Sequence, residues 1–186
     1  MTAVDASGTL TPPVSKKDHA QGPANAKIDL VEYGDYECSY CGAAYPIIKQ
    51  LQKELGKQLR FVFRNFPLSQ AHRHALHAAI AAEAVGAHGE DVFWQMHDVL
   101  YENQNALGDE DLASYAGALG VPAGELADAF AGGPIAERVR GDFRGGVRSG
   151  VNGTPTFFVN GERYDGNWTD VESFASALRS AAKSQR

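Results

Sequence analysis

From residue 27 onward, short apolar runs alternate with longer stretches of helical periodicity. Ile28, Leu30 and Val31 lead into Tyr33, a run with the length and β-branched content of a buried strand, and Gly34 and Asp35 end it. Ile47, Ile48, Leu51 and Leu55 recur at helical spacing. They predict a helix that begins at or just after Cys38, passes through Cys41 and stops at Gly56. Pro46 falls inside it, where it removes one backbone hydrogen bond and bends the axis. Leu59, Phe61 and Phe63 then alternate with Arg60, Val62 and Arg64, a second strand ending near Pro67. Two parallel strands joined by a helix form a right-handed crossover, and the turn after the first strand is where open sheets of this class place ligands or reactive groups. Cys38 and Cys41 occupy that turn.

Residues 71–149 read as helical throughout. Ala75 to Ala87 is alanine-rich, and Phe93, Met96, Val99 and Leu100 make an apolar stripe in a second segment. Asp109 can cap a third helix ending near Gly120, and Pro122 can begin a short fourth. Pro134 opens another, with Ile135, Val139, Phe143 and Val147 every fourth residue; Gly141, Gly145 and Gly146 count against it. Thr156 to Val159 reads as a strand, Asn160-Gly161 as a tight hairpin turn, and Glu162 to Tyr164 as the returning strand. Asp170 or Thr169 then caps a last helix that buries Val171, Phe174, Ala177, Leu178 and Ala181. Residues 1–26 hold Pro12, Pro13 and Pro23 and little periodicity, which predicts a flexible arm with at most an edge strand at Val14 to Lys16.

The chain is 186 residues long, enough for one ordinary domain or a small one with an insertion. Lys and Arg number 17 against 23 Asp and Glu, so the net charge is 17 − 23 = −6. That sign argues against nucleic acid and anionic membrane surfaces as partners. No stretch approaches the roughly 20 apolar residues of a membrane span, and no signal-peptide run is present. As the sequence stands a cytoplasmic location is expected, and a periplasmic one if a leader once preceded it.

Cys38 and Cys41 are the two cysteines of the chain, too few for a disulfide scaffold or a four-thiolate zinc site. Residues three apart in a helix share a face, close enough for their sulfurs to bond. At a helix N-terminus the unpaired N–H groups and the positive end of the dipole stabilise a thiolate. Cys38 is therefore expected to be an exposed nucleophile, and Cys41, one turn further in, a buried resolving thiol.

Three segments together resemble the DsbA-like branch of the thioredoxin superfamily: Val31 to Cys41, Phe63-Arg64-Asn65-Phe66-Pro67-Leu68, and Gly150 to Gly161. The helical stretch between the last two matches the insertion that marks this branch. The resemblance implies an α/β, thioredoxin-like fold with an all-helical insertion between the βαβ and ββα halves. Residues 27–70 and 150–186 would form the thioredoxin-like domain, residues 71–149 the insertion and residues 1–26 the arm. It also places Pro155 in the cis-proline loop, with Thr154 before it offering its backbone to an extended substrate. Ser39 and Tyr40 complete the substrate-binding set. Glu32 matches the family's buried acid, which takes the proton of Cys41. Ser39-Tyr40 replaces the Pro-His of strongly oxidising members and the Gly-Pro of thioredoxins; lacking a histidine between the cysteines, the chain is expected to have an intermediate reduction potential.

The implied activity is thiol-disulfide exchange with protein or peptide thiols and disulfides, without metal or organic cofactor, and with a redox partner that the sequence does not identify. Two other readings stay open: a glutathione-using transferase or isomerase, against which Cys41 argues, and a redox-idle peptide-binding or chaperone-like module. His72, His74 and His77 read as exposed helix histidines rather than a metal site, and Arg140, Arg144 and Arg148 as a solvated face. Phe93, Trp94 and Met96 read as core. Tyr36, Tyr40 and Phe157 flank the expected redox site as a candidate apolar groove.

Overall fold

The computed structural model of the chain describes residues 8–184. The order is β1 (His19–Gln21), β2 (Ile28–Gly34), α1 (Ser39–Leu55), a short 3-10 turn (Gly56–Gln58) and β3 (Leu59–Asn65). Five helices follow: α2 (Ala75–Gly86), α3 (Glu90–Glu102), α4 (Asp109–Ala118), α5 (Ala123–Ala131) and α6 (Pro134–Arg148). The chain closes with β4 (Thr156–Val159), β5 (Glu162–Tyr164) and α7 (Val171–Lys183). The result is an α/β, thioredoxin-like fold with a helical insertion and a mixed five-stranded sheet, ordered β1-β3-β2-β4-β5.

The described residues divide into two compact units. The first comprises residues up to Gly34, Ala43–Arg64 and residues from Arg144 on; the second comprises Asp35–Gly42 and Asn65–Phe143. In the first unit, β2 and β4 pair antiparallel, setting Val31 opposite Phe158, Glu32 opposite Phe157 and Tyr33 opposite Thr156. All of these are buried, so residues on both faces of β2 are shielded from solvent, as in a central strand. Asn160 and Gly161, at φ 50° and 86°, make the tight turn between β4 and β5. Asp170 caps α7 by accepting from the Ser173 N–H at 2.7 Å, and Phe174, Ala175 and Leu178 form the buried face of that helix.

The N-terminal segment corrects the expected loose arm, apart from residues 1–7, which lie outside the described residues. The edge strand forms at His19–Gln21, paired with Phe61–Phe63 of β3, and not at Val14–Lys16. At the opposite margin Thr9 bridges Glu162, and the Leu10 N–H donates to the Gly161 carbonyl at 2.8 Å. Between these anchors the segment is held by Arg64, whose guanidinium reaches Asp18 at 2.7 and 3.0 Å, the Pro12 carbonyl at 2.8 Å and the Tyr33 hydroxyl at 3.0 Å. Residues 8–21 thus run as a strap from one edge of the sheet to the other. Gly145 of α6 belongs to the same packing, since a Cβ there would lie 3.3 Å from both Pro12 and the Tyr33 hydroxyl. The glycine that weakens α6 in isolation leaves room for the strap that crosses it.

In the second unit α2 packs against α3, α4 and α5. Alanines dominate α2, so its neighbours approach closely, and Phe93, Trp94 and Met96 of α3 are core residues. The N-cap of α4 is Gly108, one residue earlier than the expected Asp109 cap, and Asp111 accepts from the Gly108 N–H at 3.2 Å.

Candidate functional site

Cys38 is the residue before the first turn of α1, where its carbonyl accepts from the Gly42 N–H at 3.0 Å while its own N–H donates to the Asp35 carbonyl at 3.1 Å. Cys41 follows within the first turn, and both residues are thiols. The first turn of α1 itself holds no acidic residue, and the acids nearest in sequence, Asp35 and Glu37, precede it. Cys41 is fully buried at 0% exposure. Cys38 is 5% exposed, so the expectation of an exposed nucleophile is corrected to one that is almost completely buried. Ser39 and Tyr40 between them are exposed, Tyr40 at 68%.

The turn is braced by residues that the motif does not name. The buried Asp35 carboxylate accepts from the Glu37 N–H at 2.8 Å and from the Leu68 N–H at 2.9 Å, and it meets His72 Nδ1 at 2.7 Å. Its hydrogen bond raises His72 above the ordinary histidine range against a smaller effect of burial; the charges of Asp35, Cys38 and Glu37 add to the rise. The Glu37 carboxylate accepts from the His74 N–H at 2.7 Å. Gln104 donates its amide to the carbonyls of Tyr36 and Cys38, both at 2.9 Å, and fills the space a Gly42 side chain would need. Tyr36 is buried with its hydroxyl 3.0 Å from His97 Nδ1, so it contributes no groove surface. Phe157 is 1% exposed but lines an open cavity beside Pro155, so Tyr40 is the one member of the candidate groove with a largely exposed side chain.

Glu32, Thr154 and Pro155 belong to the first unit, whereas Cys38, Ser39, Tyr40 and Cys41 belong to the second. Glu32 is buried at 2% exposure on β2, opposite Phe157 of β4. The Thr154–Pro155 peptide bond is cis, as is Thr11–Pro12. Thr156 donates its hydroxyl to the Gly153 carbonyl at 2.7 Å, tightening the approach to β4. Pro155, Thr156, Tyr164 and Trp168 line part of an open cavity of about 160 Å³. Among the described residues no group of three or more His, Cys, Asp or Glu is arranged to hold a metal ion. His77 instead pairs with Asp109 at 2.7 Å and stacks on Phe130.

The family model described as thioredoxin matches residues 14–179. The chain belongs to the thioredoxin family. Among solved structures, this thioredoxin-family chain is similar to oxidised BdbD from Bacillus subtilis, with a TM-score of 0.83 and 24% identity over 95% of this chain and 97% of that one. It is also similar to the thiol-disulfide exchange protein alpha-DsbA2 from Wolbachia pipientis, with a TM-score of 0.74 and 20% identity over 89% and 88% of the two chains. Similar curated proteins carry a different title, Na(+)/H(+) antiporter NhaA. The one from Salinispora arenicola is 40% identical over 172 residues, covering 92% of this chain and 26% of that protein. The one from Herminiimonas arsenicoxydans is 36% identical over 178 residues, covering 95% and 28%. The thioredoxin-family chain therefore spans about a quarter of the length of the curated relatives it matches. Among the described residues no helix is long and apolar enough to cross a membrane.

Sequence reasoning singled out the two cysteines but missed Asp35, Gln104 and the pairing of His72. Asp35 is separated from His72 by 37 positions and Gln104 from Cys38 by 66, so no local spacing links them. Gly42, directly after the second cysteine, was the available signal that something packs against the turn.

Proposed function

We propose that this protein is a thiol-disulfide oxidoreductase that exchanges disulfides with protein or peptide thiols through the Cys38–Cys41 pair. The observation that carries the reading is the placement of Cys38 immediately before α1 with Cys41 three residues on and fully buried. A helix N-terminus stabilises an anionic sulfur, and the i, i+3 spacing lets the second sulfur close on the first. In the reductive direction the Cys38 thiolate attacks a substrate disulfide, forming a mixed disulfide and releasing one substrate thiolate. Cys41 then loses its proton and attacks the Cys38 sulfur, forming the internal disulfide and releasing the second substrate thiolate. The substrate gains two electrons and the protein pair loses two; oxidation of substrates is the reverse.

Glu32 is proposed as the acceptor of the Cys41 proton. Thr154 and Pro155, with Ser39 and Tyr40, are proposed to bind the substrate chain. The reading needs no metal or organic cofactor, because both electrons reside in sulfur. Cys41→Ser is expected to accumulate mixed disulfides on Cys38, and Cys38→Ser to abolish both insulin-disulfide reduction and peptide-thiol oxidation. Unchanged turnover in folded Cys38→Ser protein would overturn the reading.

A further inference from the structure

The dipeptide between the cysteines carries no cation, yet the fold brings an imidazole to the turn from elsewhere. His72 lies in the loop before α2 and is about a quarter exposed, so it can exchange protons with solvent. Its Nδ1 is fixed at 2.7 Å from Asp35 Oδ2, and Asp35 is the residue whose backbone carbonyl accepts the Cys38 N–H at 3.1 Å. One aspartate therefore anchors both the imidazole and the cysteine turn. Its carboxylate has a side-chain exposure of 0%, and left alone a buried negative charge three residues before the sulfur would disfavour a thiolate. The Glu37 carboxylate adds to that field from the same turn. A protonated imidazole on Asp35 offsets the first charge and is favoured by the second.

We propose that His72, held by Asp35, is the positioned cation that stabilises the Cys38 thiolate and so sets the reduction potential of the Cys38–Cys41 pair. This rests on the reading of Cys38 as the reactive sulfur and adds a residue that controls it. His72 is a positioning residue in this account: it acts through charge and transfers no electron or proton to substrate. The charged groups acting on it are Asp35, Glu37 and the Cys38 sulfur. Opposite charges that favour each other do so reciprocally, so whatever His72 does to the sulfur, the sulfur does equally to His72. A thiolate stabilised in the dithiol form makes the disulfide easier to reduce, moving the potential in the oxidising direction.

The test titrates the full chain in three forms: wild type, His72→Gln and the charge-retaining His72→Lys. Thiolate absorbance against pH gives the Cys38 pKa, and equilibration with glutathione gives the potential. His72→Gln is expected to raise the Cys38 pKa by about one unit, a tenfold loss of thiolate, and to make the potential about 30 mV more negative, the equivalent of tenfold for two electrons. His72→Lys is expected to recover most of both shifts. In wild-type protein, which no folding defect can compromise, NMR titration of the His72 imidazole is expected to give a higher pKa with the dithiol than with the disulfide. Equal imidazole pKa values in the two redox forms would overturn the inference, as would a His72→Gln protein with wild-type acidity and potential. A His72-dependent Cys38 thiolate in a protein that performs no exchange would sink the oxidoreductase reading and leave the electrostatic one standing. Exchange that persists while Cys38 ignores His72 would do the reverse.

Discussion

The Gln104 side-chain amide donates to the Cys38 carbonyl over 2.9 Å, tying the end of the α3 segment to the residue that opens α1. The same nitrogen holds the Tyr36 carbonyl at 2.9 Å, so one side chain spans the turn on both sides of Glu37. Gln104→Ala removes both bonds and is expected to cost about 1–2 kcal/mol in urea denaturation and to slow thiol exchange by about tenfold through loss of turn geometry. Gly42→Ala pushes a Cβ into the Gln104 side chain and should act through the same contact. The double variant is therefore expected to be less damaged than the two single effects added together. Strict additivity in the denaturation series would show that Gly42 and Gln104 are not coupled.

Stability should depend on pH through Asp142. Burial and the neighbouring Glu83 carboxylate push this acid up to about 6, against hydrogen bonds from Asn65 and the charge of Arg138. Asn65 links the two acids, donating Nδ2 to Glu83 at 2.7 Å and to Asp142 at 3.0 Å. An acid whose folded-state pKa lies above its unfolded value of about 3.9 contributes most below that lower value, and the contribution fades as pH climbs through the folded-state value. Asp142→Asn is accordingly expected to gain about 2 kcal/mol over wild type at pH 8, and to show a flatter profile of unfolding free energy between pH 4 and 7. Parallel wild-type and variant profiles would refute this.

Arg64 is a central fastening of the strap, beside the Thr11–Ser149 hydrogen bonds. The side chains of Arg64 and Asp18 are only 4% and 9% exposed, and a buried pair that loses one member leaves the other charge uncompensated. Arg64→Ala is expected to cost about 3–5 kcal/mol, measurable as a lowered denaturation midpoint. Proteolysis should then cut first within residues 11–18, which the lost guanidinium no longer holds. A variant whose first cut falls in the helical insertion would contradict this role.

The two thiols should differ in reactivity although both are buried. Cys38 retains 5% exposure and Cys41 none, so brief treatment of the reduced protein with iodoacetamide is expected to label Cys38 first. Peptide mass analysis reads the order directly, and preferential labelling of Cys41 would reverse the assignment of attacking and resolving sulfurs.

The elements were legible in the sequence where burial is periodic. Ile28 to Tyr33, the alternation from Leu59 to Arg64 and the Asn160-Gly161 turn each carry their structure in local pattern, and Pro134 marks the start of α6. The cysteine spacing likewise placed the pair at the turn that opens α1. What escaped is held by distant partners. His19–Gln21 has no strand pattern of its own and is extended because β3 offers it an edge. Gly145 reads as a flaw in α6 until Pro12 and Tyr33 are packed against it. Tyr36 and Phe157 read as surface aromatics near a reactive turn, yet the His97 contact and the β2–β4 pairing bury them. His72 read as an exposed helix histidine, because its partner Asp35 lies 37 positions away and no local pattern links the two.

The course of residues 8–21 also governs what the sheet can do to other chains. An uncovered sheet border invites foreign backbone to add on and so seeds aggregation. Here residues 8–21 take up hydrogen-bonding positions beside β5 and, as β1, cap β3 with a ribbon of three residues, too short to template a newcomer. Both borders of the sheet are thereby closed to the addition of foreign backbone by residues 8–21 of the same chain.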